Sequence, residues 1–190
     1  MEREIILTGI GGQGVQLAAQ VLARAALLES REVMLLGTYG GTMRGGSTDA
    51  TLVVGDRAIE SPPVVARAGA AVALHHQFWA PVAAKLRPDA LVLVNESLFQ
   101  GALEPGWRVA RVSASEIAAD LGAPLAASMV LLGAYAAASA LVSLEGLVEG
   151  MRASVPSYRK QHLEHNERAL RAGHAAVPQP LALAWAEEAA

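Results

Sequence analysis

The chain reads as a three-layer α/β domain, a mainly parallel sheet with helices on both faces. Three observations predict it: short apolar runs recur along the chain, segments of helical spacing alternate with them, and a glycine loop joins the first run to the first helix. Ile5-Ile6-Leu7-Thr8, ending in Gly9, has the continuous apolarity of a buried strand. Beyond Gly9-Ile10-Gly11-Gly12-Gln13-Gly14, apolar residues at Val15, Ala18, Ala19, Leu22, Ala25 and Ala26 keep the spacing of three and four that defines one helix face. Val33-Met34-Leu35-Leu36 reads as a second strand, so the first 36 residues form a βαβ unit in this reading.

Five glycines between Gly37 and Gly46 exclude a helix or a central strand there. Ser47 to Val54 is strand-like, Gly55-Asp56 reads as a turn, and Ala58 to Ser61, closed by Pro62-Pro63, is expected to complete an antiparallel hairpin over Ser47–Ser61. Ala70–Leu74 and Ala90–Val94 are further apolar runs separated by a helical stretch over Gln77–Lys85. Val109–Val112 is a last strand candidate. Ser113 and Glu116 have capping-box spacing for a helix through Asp120. From Leu125 onward only helical signals occur, so the C-terminal part is expected to be helical. The chain contains no repeat and no linker. Residues 1–174 are expected to form a single domain, and residues 175–190, with Pro178 and Pro180, a loosely attached tail.

Composition narrows the function. Apolar residues make up 53 % of the 190, enough for a sizeable core, which excludes a disordered chain. Charged residues are only 17 %, against roughly 25 % in an average domain, so part of the surface is expected to be covered by another subunit. With 15 basic residues against 18 acidic ones the chain has no basic field for nucleic acid or anionic lipid. Cysteine is absent, which excludes a disulfide scaffold, a thiolate nucleophile and a thiolate-held zinc or iron–sulfur cluster on this chain. Met1-Glu2-Arg3-Glu4 lacks the basic and apolar regions of a signal peptide, and the cytoplasm is the expected compartment.

Gly9, Gly11 and Gly14 satisfy G-x-G-x-x-G between a strand and a helix, giving a Rossmann-like start. Bare N–H groups at a helix N-terminus can receive a phosphate or other anion; the other reading is that the glycines only permit close strand–helix packing. A dinucleotide site needs an acidic residue at the end of the second strand, and here Gly37 stands there with Glu32 ahead of the strand. The P-loop reading fails because no Lys-Ser/Thr follows the glycines. In Gly37–Gly46, Arg44 is alone among glycines with Tyr39 and Met43 nearby. A glycine-rich loop with one guanidinium suits recognition of a carboxylate or phosphate, or docking into a partner's cleft; the alternative is a solvated Arg.

Leu121–Leu144 carries no charge, but it contains Pro124, is rich in Ala, Gly and Ser, and is flanked by Asp120 and Glu145, so it is expected to be a buried helix and not a membrane span. His75 and His76, if in a strand, point to opposite faces. His162 and His165 lie i,i+3 without the H-E-x-x-H pattern. No metal site and no proton-transfer or nucleophilic residue is expected.

Taken together and in order, Gly9-Ile10-Gly11-Gly12-Gln13-Gly14, Tyr39-Gly40, Met43-Arg44-Gly45-Gly46 and Ser61-Pro62 resemble the gamma subunit of the 2-oxoacid:ferredoxin (acceptor) oxidoreductases, over about Glu4 to Asn166. The stretch Thr38 to Arg44 is most similar to the 2-oxoglutarate type, and Ala126 to Gly133 is similar to the family's long helix, with Ser128 where the family pattern has Asn. The resemblance implies a multisubunit enzyme that decarboxylates a 2-oxoacid oxidatively with coenzyme A to an acyl-CoA, carbon dioxide and low-potential electrons. It further implies alpha and beta subunits that carry thiamine diphosphate with Mg, and a ferredoxin-like subunit with the iron–sulfur clusters. On that resemblance the cofactor-cleft or interface residues are Gly9, Gly11, Gly12, Gln13, Gly14, Tyr39, Gly40, Met43, Arg44, Gly45 and Gly46. The alternative is a stand-alone Rossmann-like nucleotide-binding protein.

Overall fold

The apolar run at the start of the chain forms β1 (Glu2–Ile10), whose middle is buried on both faces because it lies inside the sheet. The computed structural model describes residues 1–39, 45–60 and 62–186. After the glycine turn comes α1 (Val15–Leu28), and every position of the expected stripe is buried against the sheet. Val21 and Ala23 are buried as well, because α1 has a second neighbour in α5 (Leu144–Ser154): a Cβ on Gly150 would stand 2.7 Å from the carbonyl oxygen of Val21.

β2 (Glu32–Tyr39) runs parallel to β1, yet the two are not neighbours. β3 (Ser47–Gly55) lies between them, antiparallel to both, from Glu2↔Gly55 to Ile10↔Ser47 on one side and from Glu32↔Gly55 to Tyr39↔Thr48 on the other. The simple βαβ pair is therefore corrected: the glycine-rich segment reverses the chain and sends β3 back into the gap, with Ala50, Leu52 and Val54 toward α1. The hairpin over Ser47–Ser61 is corrected for the same reason. Both edges of β3 are already taken, and residues 58–60 form no strand; instead the Glu60 N–H donates to Glu2 Oε1 at 2.7 Å. Ser61 lies outside the described residues.

β4 (Ala68–Ala73), β5 (Leu86–Asn95) and β6 (Arg108–Val112) extend the other side of β1, all parallel, giving the order β2-β3-β1-β4-β5-β6. One face carries the thick layer: α1, α3 (Ala114–Asp120), α4 (Ala127–Ser139), α5 and α6 (Leu163–Ala175). The other is covered by the short α2 (Ala80–Ala83) and by Trp79, Phe99 and Trp107, whose rings meet edge to face at 5.3 and 5.8 Å.

Two local expectations change, and one between them holds. α3 does not use the Ser113–Glu116 capping box; the Ser113 hydroxyl faces Glu96 at 3.5 Å, while Asn95 Oδ1 accepts from the Ser115 N–H at 3.2 Å. Asn95 Nδ2 donates in turn to Ser115 Oγ at 2.8 Å and toward the Leu74 carbonyl at 3.4 Å, so one buried amide ties β4, β5 and α3 together. Asn95→Ala orphans those groups and is expected to cost about 2 kcal/mol, read as a fall in Tm of about 4–8 °C. The uncharged Leu121–Leu144 stretch supplies α4, buried throughout except at Ala127, and among the described residues no helix is long and apolar enough to cross a membrane. The tail, expected to hang loosely, returns along α4. The Leu181 and Ala182 N–H groups donate to the Ala138 carbonyl, Ala184 N–H to Ser139, and the Trp185 indole to Leu141 at 2.9 Å, with Arg31 4.0 Å above the Trp185 ring. The carbonyls left open at a helix C-terminus explain this attachment.

Candidate functional site

Because β1, β2, β4, β5 and β6 run the same way, their C-terminal ends share one edge of the sheet. The chain leaves β1 toward β2 on one side and later resumes at β4 on the other, which makes the β1/β4 boundary the switch point where open α/β sheets form a crevice.

The two glycine loops meet at this edge. The Gly11 N–H donates to the Gly46 carbonyl at 2.8 Å, joining the first loop to the start of β3. Gln13 closes its own turn: its N–H donates to the Ile10 carbonyl at 3.1 Å, and its Oε1 accepts from the Ile10 N–H at 2.8 Å. Its carbonyl oxygen is thus committed to shaping the loop. Close packing accounts for Gly9, where a Cβ would approach Val15 Cγ2 at 3.0 Å and Leu74 Cβ at 3.2 Å. It does not account for Gly12, whose φ of +105° favours glycine and whose Cβ position is open. Packing thus accounts for Gly9, and backbone conformation for Gly12.

Gly14 caps α1 with φ +84°, and a Cβ there would lie 2.6 Å from Ser128 Oγ on α4. Ser128 is 3 % exposed, and its hydroxyl sits against the N-terminus of α1, whose first turn has no acidic residue. That end of the helix carries the positive pole of the dipole and unpaired N–H groups, an environment that favours an anionic group. On β2 the neighbouring Gly37 lets Gln16 lie close, and Gln16 Nε2 donates to the Asp49 carbonyl at 2.8 Å. Two cross-strand neighbours at the same edge, Thr8 and Asp49, each keep one buried oxygen with no hydrogen bond among the described residues.

Gly9, Gly11, Gly12, Gln13, Gly14, Gly45 and Gly46 are therefore brought to one place, and Tyr39 ends β2 on the same edge. Gly40, Met43 and Arg44 lie outside the described residues. Sequence reasoning passed over Asn95 and the His pair as features of this edge, and marked Ser128 only as a departure from the family's Asn. His75 and His76 follow β4 and do not stand in the strand, so the opposite-faces expectation is corrected: their rings stack at 4.6 Å. The Gln77 N–H donates to His75 Nδ1 at 3.0 Å, and His76 Nδ1 lies 2.9 Å from the Leu98 carbonyl. Burial first, and the neighbouring His76 second, hold His75 below the usual imidazole range. No group of three His, Asp or Glu able to hold a metal exists among the described residues.

The geometry disfavours a dinucleotide site on a second count beyond the missing acid. With β3 interposed, the end of β2 is two strand spacings, about 10 Å, from the glycine turn that would hold the pyrophosphate. The site is thus the edge of an α/β domain that offers backbone N–H donors and hydroxyls beside a helix N-terminus.

Comparison with known proteins gives this domain a family. The model for pyruvate ferredoxin/flavodoxin oxidoreductase matches residues 4–176, and the chain belongs to this family. It is 32 % identical over 160 residues to the 2-oxoglutarate synthase subunit KorC of Methanocaldococcus jannaschii, covering 82 % of this chain and 85 % of that one. It is 29 % identical to the pyruvate/ketoisovalerate oxidoreductases common subunit gamma of Pyrococcus furiosus, over 88 % and 93 % of the two chains. Among solved structures, a keto/oxoacid ferredoxin oxidoreductase gamma subunit from Geobacter sulfurreducens superposes with a TM-score of 0.79 at 25 % identity, over 93 % of this chain and 98 % of that one. A 2-oxoglutarate:ferredoxin oxidoreductase from Magnetococcus marinus, solved with 2-oxoglutarate, coenzyme A and succinyl-CoA bound, shares the fold with a TM-score of 0.81 at 18 % identity; the match covers 96 % of this chain and 33 % of that one. The resemblance drawn from the two glycine loops and the α/β architecture are thus both upheld.

Proposed function

We propose that this chain is the gamma subunit of a thiamine diphosphate-dependent 2-oxoacid:ferredoxin oxidoreductase working in the cytoplasm. The reaction joins a 2-oxoacid and coenzyme A, releases carbon dioxide and a proton, and passes two electrons to two ferredoxins, leaving an acyl-CoA. In this reading thiamine diphosphate, Mg and the iron–sulfur clusters belong to alpha, beta and ferredoxin-like partners. The chain has no cysteine with which to ligate a cluster, so no redox step is assigned to it. Its own part is to assemble with those subunits and to wall the coenzyme A side of the cleft. The observation that carries the reading is the Gly11–Gly46 junction, which joins the first glycine loop, at the positive end of α1, to the residues that lead into β3 at the switch-point edge. The edge strand β2 adds support: its Met34, Leu35 and Leu36 are exposed, apolar surface that suits a subunit contact. So do the names of the KorC and gamma-subunit relatives.

The test uses the assembled enzyme. Affinity purification of the native chain is expected to bring thiamine-containing and iron–sulfur subunits with it, visible as absorption near the iron–sulfur bands. In that assembly Arg44→Ala is expected to raise the KM for coenzyme A about tenfold, with the KM for the 2-oxoacid unchanged. An isolated chain that binds a nicotinamide dinucleotide at micromolar strength overturns the reading. Unchanged dependence on coenzyme A removes the second loop from that side of the cleft.

A further inference from the structure

The sheet ends on two strands whose outer edges are protected unequally. β6 is five residues long and carries Arg108 and Arg111, both exposed and, by the two-residue period of a strand, on opposite faces. Short length and a charge on each face are devices that keep an edge from pairing. β2 has neither. It runs for eight residues, Glu32-Val33-Met34-Leu35-Leu36-Gly37-Thr38-Tyr39, without Lys, Arg or Pro, and no bulge breaks its register against β3. Met34, Leu35 and Leu36 are 38, 37 and 38 % exposed, so the middle of the strand is open on both faces. Along its outer side the backbone makes no hydrogen bond with any described residue. We propose that β2 is the seam of a symmetric dimer, pairing antiparallel with β2 of a second copy of this chain about Leu35 and joining the two sheets into one.

The strand is built to meet itself. A two-fold axis at Leu35 sets Leu35 against Leu35, Met34 against Leu36, Val33 against Gly37 and Glu32 against Thr38. Apolar middle then meets apolar middle. The only charged residue of the strand, Glu32, falls opposite a neutral threonine at the far end of the copy, whereas a parallel pairing in register would set Glu32 against Glu32. The unpaired N–H and C=O groups fix the register, and burial of three large apolar side chains from each copy supplies the drive. Directly opposed residues share a face, so the two α1 helices, each packed on its own β2, lie on the same side of the joined sheet. The assembly also stops at two. A two-fold contact consumes the β2 edge of both copies, and the arginines of β6 guard the edges that remain.

This inference goes beyond the proposed function, in which β2 is a contact surface without a named occupant, and it does not rest on the oxidoreductase reading. Its test uses the full-length chain alone: sedimentation velocity over a dilution series, with hydrogen exchange of the β2 amides read at both ends of the series. A dimer that dissociates on dilution is expected, with β2 amides protected only in the dimer and β6 amides exchanging alike in both states. Leu35→Lys and Leu35→Glu are each expected to weaken the dimer at least about hundredfold, because a two-fold contact carries every substitution twice and here sets like charges face to face. An equimolar mixture of the two variants is expected to dimerise again, since position 35 faces its own copy. Leu35 is exposed in the single chain, so the dilute variants should melt with the dilute parent. If either variant fails to fold, exchange in the parent decides the matter. A chain that stays monomeric throughout overturns the proposal, and β2 amides then protected in the assembled enzyme give the strand to a different subunit. A dimer whose β2 amides exchange as in the monomer, one that survives Leu35→Lys, or a mixture that stays monomeric overturns it as well.

Discussion

Gly173→Ala is expected to destabilise the chain by at least about 3 kcal/mol, lowering Tm by about 10 °C. α4 and α6 cross backbone to backbone through two glycines. A Cβ on Gly173 would stand 1.8 Å from the Val130 carbonyl oxygen and 2.6 Å from its carbon; one on Gly133 would stand 2.0 Å from the Leu170 carbonyl oxygen. Those neighbours are main-chain atoms of intact helices, so no side-chain rotation relieves the overlap and the helices must separate. Separation empties the layer that buries Met129, Leu131, Leu132 and Leu170. Gly133→Ala should cost a similar amount. The double variant should cost less than the sum, because one separation relieves both clashes. Gly122→Ala is the control: its φ is +72° but its Cβ position is open, so only backbone strain of about 1 kcal/mol is expected. Thermal unfolding of the four proteins checks all of this, and a Gly173→Ala variant that melts with the parent contradicts the crossing.

The same crossing shows what was legible in the sequence and what was not. The helix of α4 announced itself, since a charge-free stretch broken by Pro124 has nowhere to go but the interior. Its partner did not, because Gly133 and Gly173 are forty positions apart and each alone is only a weak helix former. α1 was readable for a local reason: its apolar period is its contact surface. β3 was misread for a non-local one. Alternation along Ser47–Val54 marks a strand, but says nothing of which edges it will occupy, and the gap between β1 and β2 exists only once α1 has crossed over. The glycine loops stood out because backbone demands are written in residue type: the positive φ of Gly12 and Gly14 requires what the sequence supplies. Ser128 stood out only as a replacement of the family's Asn; its approach to Gly14 was not legible, since it exists only after the whole sheet is built. The tail was misjudged because its bonds go to the carbonyls of Ala138, Ser139 and Leu141, acceptors that no composition reveals.

Gly14→Ala is expected to lower the turnover of the assembled oxidoreductase about tenfold or more, and the reason separates into two parts. At φ +84° an alanine is strained by about 1–2 kcal/mol whatever surrounds it. Its methyl would also lie 2.6 Å from Ser128 Oγ, inside any tolerable contact, although 3.4 Å from Ser128 Cβ is bearable. The loop escapes both by moving off the α1 N-terminus, which carries Gly11 away from the Gly46 carbonyl and undoes the junction of the two loops. Ser128→Ala removes the second part and leaves the first. The double variant Gly14→Ala with Ser128→Ala should therefore recover part of the lost turnover, while Ser128→Ala alone tests whether the hydroxyl itself faces a ligand. Steady-state kinetics on the purified complex, with co-purification as the check on assembly, read the result. If Gly14→Ala assembles and turns over like the parent, the first glycine loop does not border the reacting cleft, and the chain's contribution reduces to holding its partners together.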